Sequence, residues 1–276
     1  MKKVVFIASL SHSGSTLLDL ILGGHSRFVG LGEVRQVLDL ESLERKKIGK
    51  IVCSCTQTME ACVFWGKAVS KLRSSRELGP EARYQIILET FGDIFGEDCI
   101  PVDSSKYTSS LRMLHTDPNI DLGVLHLIRD VRSFTISHID NQKRKPREHK
   151  KRSPFHYFKK WYSGNNKIQN FLKTNNIHHF QLGYEELCHY PDVMIEKICR
   201  FLGEQAESSM LAIENSRSHN VLGNRMRRQS DKRKLLYDMR WFQRNEWLMP
   251  SLLFPKIIKY NTKEVYRNVG TRTWDT

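Results

Sequence analysis

The sequence predicts an α/β fold built on a parallel sheet, and three observations carry that prediction. An apolar run from Val4 to Ala8 leads into the small polar stretch Ser9–Gly14, then into Ser15–Leu22, whose leucines and isoleucine recur at helical spacing. A second apolar run, Leu122–Ile128, ends at Arg129-Asp130-Val131-Arg132 and precedes another helical stretch carrying Ser133 and Ser137. Polar residues gather at the carboxyl ends of several such runs, where parallel sheets hold their ligands.

Composition is consistent with this class. With 276 residues, 39% of them hydrophobic, the chain can bury the core of one large domain spanning 1–276. No segment reaches the roughly 18 apolar residues of a membrane span. The first apolar stretch is also too short for a secretory signal, so the chain reads as cytoplasmic. Lys and Arg number 44 against 30 Asp and Glu, giving a net charge of +14. That balance implies an anionic partner without saying which.

The strand–loop–helix at the N-terminus is a natural anion site, because backbone N–H groups and the positive end of the helix converge there. Ser13, Ser15 and Thr16 can add hydroxyl donors. Set against the triphosphate-binding pattern G-x-x-x-x-G-K-[ST], the chain has Ser9 at the first glycine and Ser15 at the lysine. Without that lysine, a loop gripping β- and γ-phosphates is disfavoured. The loop Ser11-His12-Ser13-Gly14-Ser15-Thr16 suits the smaller task of holding one terminal phosphate.

Further along, Val29-Gly30-Leu31-Gly32 reads as a glycine-punctuated loop delivering Glu33 and Arg35. The stretch VFWGKAVSKL and residues 80–96 have helical spacing. Cys99–Val102 reads as a short strand, followed by Asp103-Ser104-Ser105-Lys106 and a helix over about 107–115. Residues 154–174 and 191–203 read as helices around a last strand, His178–Leu182. Lys143–Arg152 reads as an exposed, solvated basic loop, and two tryptophan-bearing segments close the chain. Cys53, Cys55 and Cys62 lie in a C-x-C-x6-C pattern, which is not a standard zinc spacing and has no fourth partner near it in the chain. Free thiols, and no metal, are the expectation.

Four separated segments together resemble the sulfotransferases that use 3'-phosphoadenosine 5'-phosphosulfate (PAPS). Ser11–Thr16, SHSGST, is similar to the family's 5'-phosphosulfate loop. Leu127–Ser137 resembles its 3'-phosphate segment, in which an arginine and a serine eight positions later, here Arg129 and Ser137, hold the phosphate. Tyr184-Glu185-Glu186-Leu187 and the helix to Gly203 resemble the segment with a tyrosine near adenine. Gly223-Asn224-Arg225-Met226-Arg227, with Asp238 to Trp241, resembles a C-terminal pattern of many bacterial members.

The resemblance implies a Rossmann-like, P-loop-like three-layer fold with a central parallel sheet of about five strands flanked by helices. It also implies acceptor-side insertions around 36–98 and 140–175, and a cap near 216–230 that orders on binding. The donor implied is PAPS, released as 3',5'-phosphoadenosine, with no metal. Its ligands would be Ser11, His12, Ser13, Gly14, Ser15, Thr16, Arg129, Ser137, Tyr184, Gly223, Asn224 and Arg227.

Among catalytic residues, Glu33 resembles the base in the G-E segment of tyrosylprotein sulfotransferases. Lys106 resembles the lysine supporting the transferred group. His12 stands where the family usually has Arg or Lys, which makes donor affinity sensitive to alkaline pH. The alternative reading of Glu33 is structural, a helix-start salt bridge to Arg35. The acceptor implied is a small molecule, natural product or carbohydrate offering a hydroxyl or an amine. Two other classes remain as alternatives: a P-loop-like nucleotide kinase, against which the missing lysine counts, and a non-enzymatic basic module binding sulfated glycan or nucleic acid, for which no accompanying motif exists.

Overall fold

Strand β1 (Lys2–Ser9) is buried from Val4 to Ser9, as a strand covered on both faces must be, and this is why its sequence is a continuous apolar run. The computed structural model describes residues 1–46, 48–144, 151–223, 226 and 235–268. Helix α1 (Ser15–Leu22) follows after a five-residue loop and buries every residue but Thr16. β2 (Phe28–Gly32) comes next and is buried throughout.

The segment read as a glycine loop is therefore a strand. Gly30 answers a neighbour, whereas Gly32 ends the strand with φ +74°, a backbone geometry that favours glycine. A Cβ on Gly30 would stand 2.0 Å from Oδ1 of Asp19 on α1, so the helix approaches β2 only where a side chain is missing.

Short helices α2 (Arg35–Leu38) and α3 (Leu40–Arg45) lead to α4 (Trp65–Arg73) and α5 (Pro80–Phe95). β3 then runs from Ile100 to Lys106, so the strand read as ending at Val102 continues through Asp103-Ser104-Ser105-Lys106. The reason is local. The buried Asp103 carboxylate accepts from the Ser105 backbone N–H at 2.8 Å and its Oγ at 2.5 Å, and from the Tyr84 hydroxyl at 3.2 Å, so polar residues are satisfied inside the sheet. Helix α6 (Thr108–His115), β4 (Ile120–Ile128), α7 (Val131–Arg144), α8 (Pro154–Thr174) and β5 (His179–Gly183) complete the alternation. Helices α9 (Tyr184–His189), α10 (Pro191–Leu202), α11 (Leu248–Leu253) and α12 (Pro255–Val265) follow.

The five strands form one parallel sheet in the order β2-β3-β1-β4-β5, flanked by helices. Helical crossovers are what parallel pairing requires. No helix among the described residues is long and apolar enough to cross a membrane.

The chain forms two compact units. The first holds Met1–Ala8, Ser15–Val124 and Leu202–Leu235; the second holds Ser9–Gly14, Leu125–Phe201 and Leu236–Thr276. In the first, Trp65, Phe64, Tyr84 and Phe91 are buried beside the sheet residues. In the second, Ile128, Phe134, Phe158, Trp161, Ile257 and Val265 share one core.

Asp19 gives the first unit a pH-dependent element. Fully buried, it accepts from Asn220 Nδ2 at 2.8 Å and from the Gly32 N–H at 3.3 Å. Burial outweighs these bonds and pushes its carboxyl up from 3.8 to about 7. The folded chain then binds more protons here than the unfolded chain between pH 3.8 and about 7, so this group's contribution to stability falls as pH rises through that window. The shift corresponds to roughly 4 kcal/mol once ionisation is complete. Thermal unfolding of wild type and Asp19→Asn across the window checks this. The wild-type midpoint should decline toward neutral pH more steeply than the variant's, and parallel curves would remove Asp19 from the titration.

Candidate active site

In the second unit the loop after β1 and the turn after β4 meet around one arginine. Arg129 stands at the carboxyl end of β4, 6% exposed, where Trp161 Nε1 donates to its carbonyl at 2.7 Å. Its Nε donates to Ser133 Oγ at 2.9 Å, Nη1 to the His12 carbonyl at 2.9 Å and Nη2 to Asp238 Oδ2 at 2.6 Å. The guanidinium lies over the Tyr184 ring, 4.6 Å from its centroid.

Burial raises the Asp238 carboxyl, but hydrogen bonds from Arg240 and the charge of Arg129 outweigh it and hold Asp238 well below the usual carboxylate range. Asp130, next in the chain, is clamped by Arg132, Asn261 and Tyr266, which fixes the turn that aims Arg129.

His12 takes a left-handed conformation, φ +71°, and its Nδ1 lies 3.2 Å from Ser137 Oγ on α7. Its ring also packs on His138, with centroids 4.4 Å apart. The structure thus joins, through His12, the loop and the Arg129–Ser137 pair that the sequence assigns to opposite ends of one ligand.

Gly14 has φ +95°, and a Cβ there would meet Tyr184 Cδ2 at 2.4 Å, so glycine is needed both for the turn and for the tyrosine's packing. The Tyr184 hydroxyl donates to the Leu236 carbonyl at 3.3 Å. Ser13 Oγ is buried without a hydrogen-bond partner among the described residues. A buried orphan hydroxyl beside free loop geometry is what an anion would complete. Ser11 is exposed.

The first unit holds the other predicted residues. Glu33 follows β2 and Lys106 ends β3, and adjacent parallel strands bring them into an ion pair through Glu33 Oε1 and Lys106 Nζ. Both side chains are largely buried, and Gln36 Nε2 donates to Glu33 Oε2. Lys106 has φ +72°, a strained geometry for a residue with a Cβ, of the kind that clusters at functional sites.

Arg35 is not the partner of Glu33. Its guanidinium lies 4.5 Å over the Tyr107 ring, and its backbone N–H donates to Ser105 Oγ at 2.9 Å. The alternative reading, a helix-start salt bridge to Arg35, is not what forms; Glu33 pairs with Lys106. Gly223 approaches the same carboxylate, since a methyl there would stand 3.2 Å from Glu33 Oε1 and 3.8 Å from Thr16 Oγ1. Ser15 is buried at the start of α1. Asn224 and Arg227 lie outside the described residues.

Two groupings were missed in the sequence. Asp238 is the carboxylate that pairs with Arg129, and its signal was the DMRW run at 238–241. The cysteine trio does have a fourth partner: His219, 157 residues after Cys62, places Nδ1 3.2 Å from Cys62 Sγ. Only the folded chain brings it there. The hydrogen bond between Cys53 and Cys62, with His219 adding to it, pulls the Cys62 thiol down.

A parallel α/β sheet with charged residues at its strand ends and a small polar first loop is the setting in which such folds hold anionic ligands. The chain belongs to the sulfotransferase family, whose model matches residues 4–208. No curated protein matches it.

Solved structures share its fold at low identity. The sulfotransferase domain from the curacin biosynthetic pathway is 17% identical with a TM-score of 0.52, covering 93% of this chain and 92% of that one. The sulfotransferase domain from the Synechococcus PCC 7002 olefin synthase is 17% identical with a TM-score of 0.50, over 94% and 95%. A sulfotransferase from Alicyclobacillus acidocaldarius is 13% identical with a TM-score of 0.52, over 98% of each chain.

Proposed function

We propose that this sulfotransferase moves the sulfonyl group of PAPS to a hydroxyl or amine of a small-molecule, natural-product or carbohydrate acceptor. The observation that carries the reading is Arg129, braced by Ser133 and Asp238 and joined through His12 to Ser137. A planar guanidinium fork fits a phosphate monoester, and each terminal nitrogen keeps a second N–H beyond the bond it makes. The orphan hydroxyl of Ser13 and the N–H groups of its loop suit the 5'-phosphosulfate end.

The donor supplies the sulfonyl group and leaves as 3',5'-phosphoadenosine. Glu33 takes the acceptor's proton as the acceptor oxygen or nitrogen bonds to sulfur and the bond from sulfur to the bridging oxygen breaks. Lys106 neutralises charge growing on that bridging oxygen, and His12 neutralises the 5'-phosphate. Before reaction Lys106 pairs with Glu33, so it exchanges that carboxylate for the developing anion as Glu33 becomes protonated. Positioning and charge neutralisation supply most of the acceleration in such an in-line displacement.

Calorimetry with 3',5'-phosphoadenosine and with a nucleotide lacking the 3'-phosphate tests the donor half. The reading requires the first to bind at least ~10²-fold tighter, the scale of a lost charge-assisted phosphate contact. Incubation with PAPS and an acceptor library, read by the mass gain of one sulfonyl group, tests the reaction. Magnesium-dependent release of ADP from ATP, with no use of PAPS, would overturn the assignment.

A further inference from the structure

Outside the catalytic residues, one cluster of side chains has no role in sulfonyl transfer. Residues 52–58 fold into a small hairpin. Val52 bridges Thr58, the Cys53 N–H donates to the Gln57 carbonyl at 2.8 Å, and Thr56 turns the chain with φ +74°. This turn sets Cys53 and Cys55 side by side. Cys62 comes back to them on the next turn, its N–H bonded to the Thr58 carbonyl at 2.9 Å, while its sulfur accepts the Trp65 N–H at 3.5 Å. A backbone N–H aimed at a cysteine sulfur is the kind of outer partner that stabilises a ligating thiolate.

His219 arrives from a distant part of the chain, and its position is over-determined. Its N–H donates to the Gly30 carbonyl at 2.6 Å, its carbonyl accepts from Trp65 Nε1, and its ring packs 5.3 Å from Phe95. The hairpin is laced to the same segment by Ser54. Its N–H donates to the Asn220 carbonyl at 2.9 Å, and its Oγ donates to the Ser218 carbonyl at 2.6 Å.

The ligand atoms of Cys53, Cys55, Cys62 and His219 all lie within 4.8 Å of one another. Sγ of Cys53 and Cys62 are 3.8 Å apart, and His219 Nδ1 is 3.2 Å from Cys62 Sγ and 4.0 Å from Cys53 Sγ. Around a tetrahedral zinc, with Zn–S of about 2.3 Å and Zn–N of about 2.0–2.1 Å, two sulfurs stand about 3.8 Å apart and a sulfur and a nitrogen about 3.6 Å. The observed separations bracket those edges. A disulfide would need its sulfurs about 2.0 Å apart, and all of these cysteines are free thiols.

We propose that Cys53, Cys55, Cys62 and His219 form a Cys₃His site for a structural Zn²⁺. Four protein ligands complete the coordination and leave no position for substrate, so the ion's work is structural. The thiols bind as thiolates, and their protons are released on binding.

The consequence reaches the reaction through the chain that the ion would tie down. Ser218 pairs with Gly30 of β2, Asn220 bonds Asp19, and Gly223 lies against Glu33. A metal at His219 would clamp the hairpin 52–58 onto the base of this segment, and so hold Gly223 beside the catalytic carboxylate. The odd spacing of the cysteines ceases to be an objection, because the fourth ligand is supplied by tertiary structure.

The full chain, expressed with zinc in the medium and purified without chelators, should carry about one zinc per chain by elemental analysis. Replacement by Co²⁺ should give the intense visible bands of a tetrahedral ion and a sulfur-to-cobalt charge-transfer band. Cys55→Ser and His219→Ala should lose most of the metal, whereas His219→Cys should keep it as a Cys₄ site. Should a variant fail to fold, removing zinc from the wild-type chain with a strong chelator should lower its unfolding midpoint, and returning zinc should restore it.

A wild-type chain holding less than roughly a tenth of an equivalent of metal, with no cobalt spectrum, would overturn the site. So would a metal content unchanged in both loss-of-ligand variants, or a mass two hydrogens light that maps to a Cys53–Cys62 disulfide.

Discussion

Glu33→Gln should lower turnover by ~10²-fold or more while leaving nucleotide affinity intact, the pattern of a lost general base. Glutamine keeps the size of the side chain and an oxygen that accepts from Lys106 Nζ, so the packing around Gly223 and Lys106 is preserved. What it cannot do is accept the acceptor's proton. The loss should therefore fall on kcat and kcat/KM together, with the calorimetric affinity for 3',5'-phosphoadenosine unchanged, because the proposed donor ligands are Arg129, Ser137 and the first loop and not Glu33.

A purely structural role for the ion pair makes a different prediction. In that case Glu33→Gln should lower the unfolding midpoint and leave turnover per folded molecule near wild type, which would remove Glu33 from the mechanism. Lys106→Met separates the two roles further. It releases Glu33 from its partner but removes the cation at the bridging oxygen, so it should also slow turnover, and most for donors whose leaving group is the poorest.

The elements that could be read from sequence are those whose pattern is set by local chemistry. β1 and β4 are continuous apolar runs because both faces of a central parallel strand are covered. α8 begins at Pro154, where the Ser153 side chain caps it and proline suits the first turn, so its start was legible to the residue. Arg129 at the strand end and Ser137 on the following helix could be placed in the same way, since both positions lie within one continuous stretch.

β2 was misread because FVGLG looks like a turn when its glycines are taken alone. Gly30 is small because Asp19, from another element, needs the room, and Gly32 because its φ is +74° and Asn220 Oδ1 stands close. The partner of Glu33 was not legible for a related reason. Arg35 is its near neighbour in sequence, but residues two apart at a helix start do not face each other. Lys106 is seventy-three positions away and is delivered by the pairing of β2 with β3. Asp238 and His219 belong to the same class of long-range partners. Each satisfies a group, a buried guanidinium or a set of thiols, whose need is visible locally but whose answer is not.

Arg129→Ala should weaken binding of 3',5'-phosphoadenosine by ~10²-fold or more, because truncating one partner of a buried, hydrogen-bonded charge pair costs on the order of 2–5 kcal/mol. The loss should be specific. A nucleotide lacking the 3'-phosphate should bind wild type and variant alike, since it has no group for the fork to hold. Arg129→Lys should recover only part of the affinity, because an ammonium keeps the charge but not the planar pair of donors.

The folding control matters here, since Arg129 also binds Ser133, the His12 carbonyl and Asp238. Asp238 retains Arg240 as a partner in the variant, with Nη2 at 2.6 Å, so the carboxylate is not stranded by the substitution. The unfolding midpoint should then fall modestly while discrimination between the two nucleotides collapses. Equal affinity of Arg129→Ala and wild type for 3',5'-phosphoadenosine would move the 3'-phosphate elsewhere in the chain and leave Arg129 as a brace between His12 and Asp238.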